Sequence, residues 1–399
     1  MTINLSATLV YLVLLYLTNL ARGAIGGFFI YAHYLILILP VVSTIHLIIT
    51  MIFLRYIQDF SSFHSVRGDR VTYRLRLSQE FPLFSANIGI EFKHINPHMG
   101  QIMESRTIII SPGKRLEFEF EIPCPYIGVY TIGLQELVVR DMIGWLTLPQ
   151  SVFFYTMYVY PRVLDSRDFD LMALSERSRT GSRLGSNIDY SYFERLREYR
   201  PGMDTRMMAW KRFAAQGVAV LRVYNRVSDP GITLYLDTSR EEGPVDELIE
   251  REDFSLEVLV SVAGECLRRG QPVGIRARGL EPMILRNSGD LQHLINASLN
   301  VEFSNQADMI ALFLEDQRRN EGTGSSAIFI SHDVTPELIR IFLRPPGESH
   351  SLEAIINETG SDEHQRISNR RRIIPLGSGG ERIRFIDASK IEGDRLIWQ

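Results

Sequence analysis

The first 54 residues contain no Asp, Glu or Lys, and one basic residue, Arg22. Residues 5–20 are almost continuously apolar, 21–27 (ARGAIGG) read as a turn, and 28–54 form a second apolar run. A helix needs about 20 apolar residues to cross the hydrocarbon core. The pattern therefore predicts a membrane helical hairpin over residues 1–60. A signal peptide would carry a basic start and a small-residue cleavage site, and residues 1–4 have no basic side chain. Both ends of a hairpin face one side. Arg55, Arg67, Arg70, Arg74 and Arg76 follow the second run, whereas the connecting turn has only Arg22. The positive-inside bias then predicts a multi-pass inner (plasma) membrane protein with its soluble domains in the cytoplasm. His33, Pro40 and His46 interrupt the second run. With no acid beside them, they read as polar groups facing the partner helix rather than as a proton path.

Taken whole, the chain is an ordinary folding sequence, 45% hydrophobic and 23% charged. Its 43 Lys plus Arg against 47 Asp plus Glu give −4, no general basis for binding a phosphate backbone, so no nucleic-acid partner is expected. Two cysteines, Cys124 and Cys266, make neither a disulfide framework nor a four-ligand zinc site. Both read as buried, idle thiols.

From 61 to 162 the period becomes two. Runs at 71–77 (VTYRLRL), 88–93 (IGIEFK) and 116–122 (LEFEFEI) alternate apolar and polar residues, separated by turn residues at 67–69, 96–97, 111–113 and 141–144. Such strands bury one face each, and their number and spacing predict an all-β immunoglobulin-like sandwich of about 100 residues.

Residues 163–230 form a basic segment. Asp204 is placed to cap a helix starting at Thr205, with Met207, Trp210, Phe213 and Ala214 on its apolar face. Arg195, Arg197, Arg200, Arg206, Lys211 and Arg212 surround it. Two readings stand: a solvated basic face with ion pairs such as Arg206 to Asp204 or Glu198, or a docking patch for an acidic partner or a phosphate.

Residues 231–399 alternate strands (232–236, 272–278, 327–331, 352–357, 382–386) with helices (254–269, 291–299, 306–319, 335–343), predicting a Rossmann-type α/β domain with a mostly parallel sheet. Ligands bind beyond the carboxyl ends of such strands, where Asp237, Ser239 and Asp333 would lie. Arg370–Arg372, next to the Gly/Ser stretch 377–380, read as a flexible loop. That stretch lacks the Lys-Ser/Thr of a phosphate-binding loop.

The run 197–211 (REYRPGMDTRMMAWK), then a strand, then 232–239 (ITLYLDTS), resembles the signature of the bacterial domain-of-unknown-function-58 family. The hairpin, Gly128-Val-Tyr130, the 140–144 turn and Val159-Tyr-Pro161 resemble the same family. Met203 stands where the family has an acid, and Gln216 where it has an arginine. The resemblance implies a von Willebrand factor A-like domain at 231–399. It also implies a role for Arg197, Tyr199, Pro201, Gly202, Asp204, Arg206, Trp210 and Lys211 as a partner-binding segment, and a MoxR-type AAA+ ATPase as partner in assembling or activating a client protein. Such domains often hold Mg²⁺ through a D-x-S-x-S loop and a distal aspartate. The counterparts here are Asp237, Ser239, Glu241 in place of the second serine, and Asp333. The competing reading of Asp237 and Ser239 is a turn cap. The expected function is a membrane-anchored interaction module, not an enzyme. The alternative is a metal-assisted hydrolase using Asp237 and Asp333, with His332 as its base.

Overall fold

The computed structural model describes residues 2–398 apart from 25, 81–85, 97–99, 111–113, 142–144, 167–187, 199–219, 227–230, 241, 306–307, 320–325, 346–350, 392–394 and 397. It divides into two compact units, Met1–Tyr160 and Pro161–Gln399.

The first unit opens with strand β1 (Thr2–Ile3) and helices α1 (Leu5–Ala24) and α2 (Phe28–Phe53). Asn4 starts α1: its Oδ1 accepts from Ser6 N at 3.2 Å, leaving fewer orphan donors in the first turn. Both helices are long and apolar enough to cross a membrane. Most of their Leu, Ile and Val side chains are exposed. The buried residues of α2 include Ser43, His46, Leu47 and Thr50, a stripe at helical spacing. His33 is buried too, with Thr18 Oγ1 of α1 3.3 Å from its Nδ1.

The second apolar run ends as helix at Phe53, one residue before its sequence boundary, and Leu54 opens a strand. Strands β2 (Leu54–Phe60), β4 (Arg70–Gln79) and β7 (Arg115–Pro123) make one antiparallel sheet. Strands β3 (His64–Val66), β5 (Ala86–Asn96), β6 (Gly100–Ile110), β8 (Gly128–Arg140), β9 (Leu146–Ser151) and β10 (Tyr155–Tyr160) join β1 in a seven-stranded sheet. Here β1 pairs with β9.

Alternation decides which faces meet. On β4, Val71, Tyr73, Leu75 and Leu77 are buried, and they share one core with Ile88, Ile90, Ile132, Leu134 and Leu137 of the larger sheet. Each such side chain contributes about 1.5–3 kcal/mol on burial. The other face of β4 and β7 carries opposed charges: Arg74 faces Glu119 and Arg76 faces Glu117 across the ladder, with N···O distances of 3.1 and 3.2 Å. All four are about half exposed, so each pair is worth at most about 1 kcal/mol. Tyr130, near the start of β8, is fully buried and donates from its hydroxyl back to Tyr126 O at 2.8 Å.

In the second unit, β11 (Ile188–Glu198) and β12 (Val220–Arg226) form an antiparallel pair that sets Arg197 opposite Leu221. The helix expected from Thr205, and with it Tyr199, Pro201, Gly202, Asp204, Arg206, Trp210 and Lys211, lies outside the described residues.

A six-stranded sheet follows: β13 (Ile232–Leu236), β14 (Val273–Ala277), β15 (Met283–Leu285), β16 (Ser326–Ser331), β17 (Ser351–Asn357) and β18 (Ile383–Ile386). Their spatial order is β15-β14-β13-β16-β17-β18, parallel except for β15. Every residue of β13, β16 and β17 is buried, as strands covered on both faces require. Helices α3 (Val245–Arg268), α4 (Ser288–Ser298), α5 (Met309–Arg319), α6 (Pro336–Leu343) and α7 (Glu363–Ile373) accompany it. Phe313 of α5 and Leu338 and Ile341 of α6 pack with Tyr235, Phe329 and Ala354 on one face. Alternation turns Leu234, Ile328 and Ile355 to the other.

Arg370–Arg372 are not in a loop. They form the last turn of α7, which Asp362 caps by accepting from Gln365 N at 2.7 Å. Three cations there favour the negative end of the helix dipole. The Gly/Ser stretch continues as tight helical turns, kinked at Gly377, whose φ is 53°.

Candidate functional site

Sequential crossovers place β14 on one side of β13 and β16 on the other, so the strand order reverses between β13 and β16. Crevices at such switch points, beyond the carboxyl ends, are where open α/β sheets bind ligands. Asp237 directly follows β13. Its backbone N–H donates to Ile330 O at 2.8 Å, which extends the ladder one step and fixes the residue against β16.

The Asp237 carboxylate is mostly buried and fully engaged. Oδ1 accepts from Ser239 N at 3.0 Å and from Ser239 Oγ at 2.7 Å. Oδ2 accepts from Ser331 Oγ, the last residue of β16, at 2.7 Å. The Ser331 hydroxyl also lies 3.1 Å from Asp333 O, but it has one proton, and the charged, nearer acceptor takes it. His332 Nδ1 stands 3.8 Å from Asp237 Oδ2. A third loop closes in through the backbone: Ser304 bridges Ser239, with Ser304 N donating to Thr238 O at 2.9 Å.

Three of the four residues singled out for a metal are described. Asp237 and Ser239 meet. Asp333 turns instead to Arg372 of α7, whose Nη1 lies 3.2 Å from Oδ1 and 3.0 Å from Oδ2 and also donates to Val334 O at 2.9 Å. Glu241 lies outside the described residues. Ser331 went unnoticed in the sequence because attention falls on the acid two positions later. Its signal is its place at the end of the apolar run 327–330, on the strand flanking that of Asp237. Among the described residues, no three His, Cys, Asp or Glu side chains gather as a metal-binding group. The donor chemistry around Asp237, one carboxylate and two hydroxyls, consists of hard oxygens and fits a Mg²⁺ ion that keeps several waters. The Asp333 carboxylate does not fit while the guanidinium holds it.

Beside this cluster, Arg240 donates from Nε and Nη2 to both carboxylate oxygens of Glu252 on α3. This bond raises the Arg240 pKa further above its ordinary value. The adjoining cleft, lined by Ser239, Arg240, Arg251, Phe303 and His332 among others, has an interior of about 10 Å³, room for about one water. Organic ligands occupy pockets of about 300–1,000 Å³, so an ion, a water or the tip of a carboxylate is the scale of group this crevice takes.

Both thiols are buried. Burial raises the Cys124 pKa and pushes that of Cys266 up to about 12, so neither is a nucleophile at neutral pH.

No protein-family model matches the chain, and no curated protein matches it. Solved structures align over part of it. The putative ApaA protein from Bordetella pertussis is 10% identical, with 27% of this chain and 93% of that one covered and a TM-score of 0.21. The sporulation control protein Spo0M from Bacillus subtilis is 10% identical, covering 37% and 58%, at 0.19. A β-glucosidase from Listeria innocua is 8% identical, covering 27% and 16%, also at 0.19. Likenesses this slight carry no argument about fold or function.

Proposed function

We propose that the chain is a membrane-anchored protein–protein interaction module of the domain-of-unknown-function-58 type. In this reading α1 and α2 are a hairpin in the inner membrane and the remainder is cytoplasmic. The β strands of the first unit form an immunoglobulin-like sandwich, and the second unit is von Willebrand factor A-like. The hydroxyl of Tyr130, bonding back to Tyr126 O at 2.8 Å, supports the sandwich reading, since tyrosine corners of this kind recur there. The strand order and the antiparallel edge strand β15 support the reading of the second unit.

The observation that carries the proposal is the meeting of Asp237, Ser239 and Ser331 at the switch point, where Ser239 also lines a small adjoining crevice. Asp237 and the two hydroxyls would hold a Mg²⁺ ion, which would supply an electrophilic centre for a carboxylate of a partner. Glu241 stands near it in sequence. Arg197, Arg206 and Lys211, around Trp210, meet an acidic surface of a MoxR-type AAA+ ATPase, which acts with this chain on a client protein. The hydrolase alternative asks the same crevice to admit a substrate as well as a metal, and the crevice is too small for one.

The test is capture of that ATPase by the full chain in detergent, with and without chelation of Mg²⁺. Capture should weaken on chelation and in Asp237→Ala, and Arg206→Glu should make it weaker and less sensitive to salt. Metal-dependent turnover of ester or phosphate substrates with no capture would sink the proposal.

A further inference from the structure

The two apolar helices are not free of the first unit's sheets. Trp145, just before β9, donates from its indole Nε1 to Thr8 Oγ1 of α1 at 2.7 Å and stacks on Tyr11 at 5.4 Å between centroids. Asn4 N donates to Trp145 O at 2.9 Å. On α2, the Ser43 hydroxyl donates to the fully buried Asp141, whose Oδ1 accepts from Leu146 N at 3.2 Å. The segment around Asp141 and Trp145 thus grips α1 near Tyr11 and α2 near Ser43.

From Tyr11 to the end of α1, and from the start of α2 to Pro40, each helix has only about 18–20 Å of length left at 1.5 Å per residue. The hydrocarbon core is about 30 Å thick. A hairpin that crosses this core in full therefore carries Trp145 roughly 10 Å inside the lipid boundary, beneath the layer where indoles concentrate.

At this level lies an apolar cleft of about 330 Å³ between the helices, with Val10, Leu14, Ile36, Leu39, Pro40 and Trp145 among its walls. Pro40 has no N–H to give the Ile36 carbonyl one turn earlier, and its ring crowds that carbonyl. Both residues line the opening. The cleft is on the order of ten times the ~30 Å³ share of a liquid water, and apolar cavities exclude water and accept hydrocarbon. It is continuous with the exposed apolar flanks of both helices, among them Leu9, Val13, Leu35 and Ile38.

We propose that this cleft binds an acyl chain of a membrane phospholipid near its carboxyl end and that Trp145 closes over it just inside the lipid–water boundary. The proposal rests on the reading of α1 and α2 as membrane helices. The bound chain fills the cleft beside Pro40, and it joins the Asp141–Trp145 region to the bilayer through a lipid as well as through protein.

The experiment uses the full chain with Trp210→Phe and Trp398→Phe, leaving Trp145 as the only indole, in phosphatidylcholine–phosphatidylglycerol vesicles. Phospholipids brominated near the carboxyl end of their chains should quench most of the Trp145 emission. Those brominated near the methyl end, and iodide in the buffer, should quench little. Filling the cleft with Leu39→Phe, or independently with Val10→Phe, should relieve the quenching and remove phospholipid from the detergent-purified protein in native mass spectrometry. Quenching by a brominated free fatty acid but not by phospholipid would refute the phospholipid as occupant. Strong iodide quenching, or unchanged bromolipid quenching in both filled variants, would overturn the site while leaving the membrane reading intact. Failure of the protein to float with the vesicles would overturn the membrane reading and the site with it.

Discussion

Ser331 Oγ donates to Asp237 Oδ2 at 2.7 Å, joining the carboxyl ends of β16 and β13 across 94 positions of sequence. Removing either partner has unequal cost. Ser331→Ala deletes one hydrogen bond, whereas Asp237→Ala strands the Ser239 amide and two hydroxyls. We expect a loss of about 1 kcal/mol for the first and about 2–3 kcal/mol for the second, read by urea unfolding. The double variant should fall short of the sum, and strict additivity would show that the two do not interact.

Arg372 competes with any cation for Asp333. Their side chains are partly exposed, so the pair itself contributes no more than about 1 kcal/mol. Arg372→Ala should therefore change stability little in the absence of divalent ions. With the carboxylate released, added Mg²⁺ should raise the melting temperature more than it does in the wild type. An equal response in both proteins would place Asp333 outside the ion's reach.

Glu358 follows β17, is buried, and has Oε2 3.7 Å from Arg370 Nη2. Burial raises its pKa, outweighing the nearby cations Arg370 and Arg366. The folded chain thus holds this proton more tightly than the unfolded chain does. Between the ordinary glutamate value of about 4.3 and the raised one, stability falls as pH rises, and above both the full cost persists. Glu358→Gln should melt higher than wild type at neutral pH, with the gap closing as pH drops below the ordinary value. A lower melting temperature for the variant at neutral pH would show that the Arg370 pairing dominates.

Cys124 and Cys266 should both resist iodoacetamide in the native protein at pH 8 and react once it is unfolded in urea, as mass spectrometry can follow. Rapid native alkylation at Cys266 would contradict the burial of this α3 side chain.

Much of this architecture is written in local patterns. The alternation along β4, buried at Val71, Tyr73, Leu75 and Leu77, follows directly from period two. The largely apolar runs of β13 and β16 announce a doubly covered sheet. The site is less legible, because its residues meet through pairing between strands far apart in sequence. No spacing rule joins Asp237 to Ser331, or Ser43 to Asp141. In α7, glycines beside three arginines outweighed signals that were present: Asp362 as cap, Glu363 in the first turn and the cations in the last. The segment from Arg197 to Lys211, proposed above to meet a partner, is legible only as a motif.

The charge ladder between β4 and β7 has a consequence for how those strands find each other. Arg74 and Arg76 lie opposite Glu119 and Glu117. Sliding β7 by two positions would set Arg74 against Glu121 and Arg76 against Glu119, again opposite in sign and again on the outer face. A repeating code of this sort chooses the neighbour and the side without saying where to begin. The choice of starting point must come from the unlike shapes beneath it, where Tyr73 has to find its place beside Phe60 and Phe120.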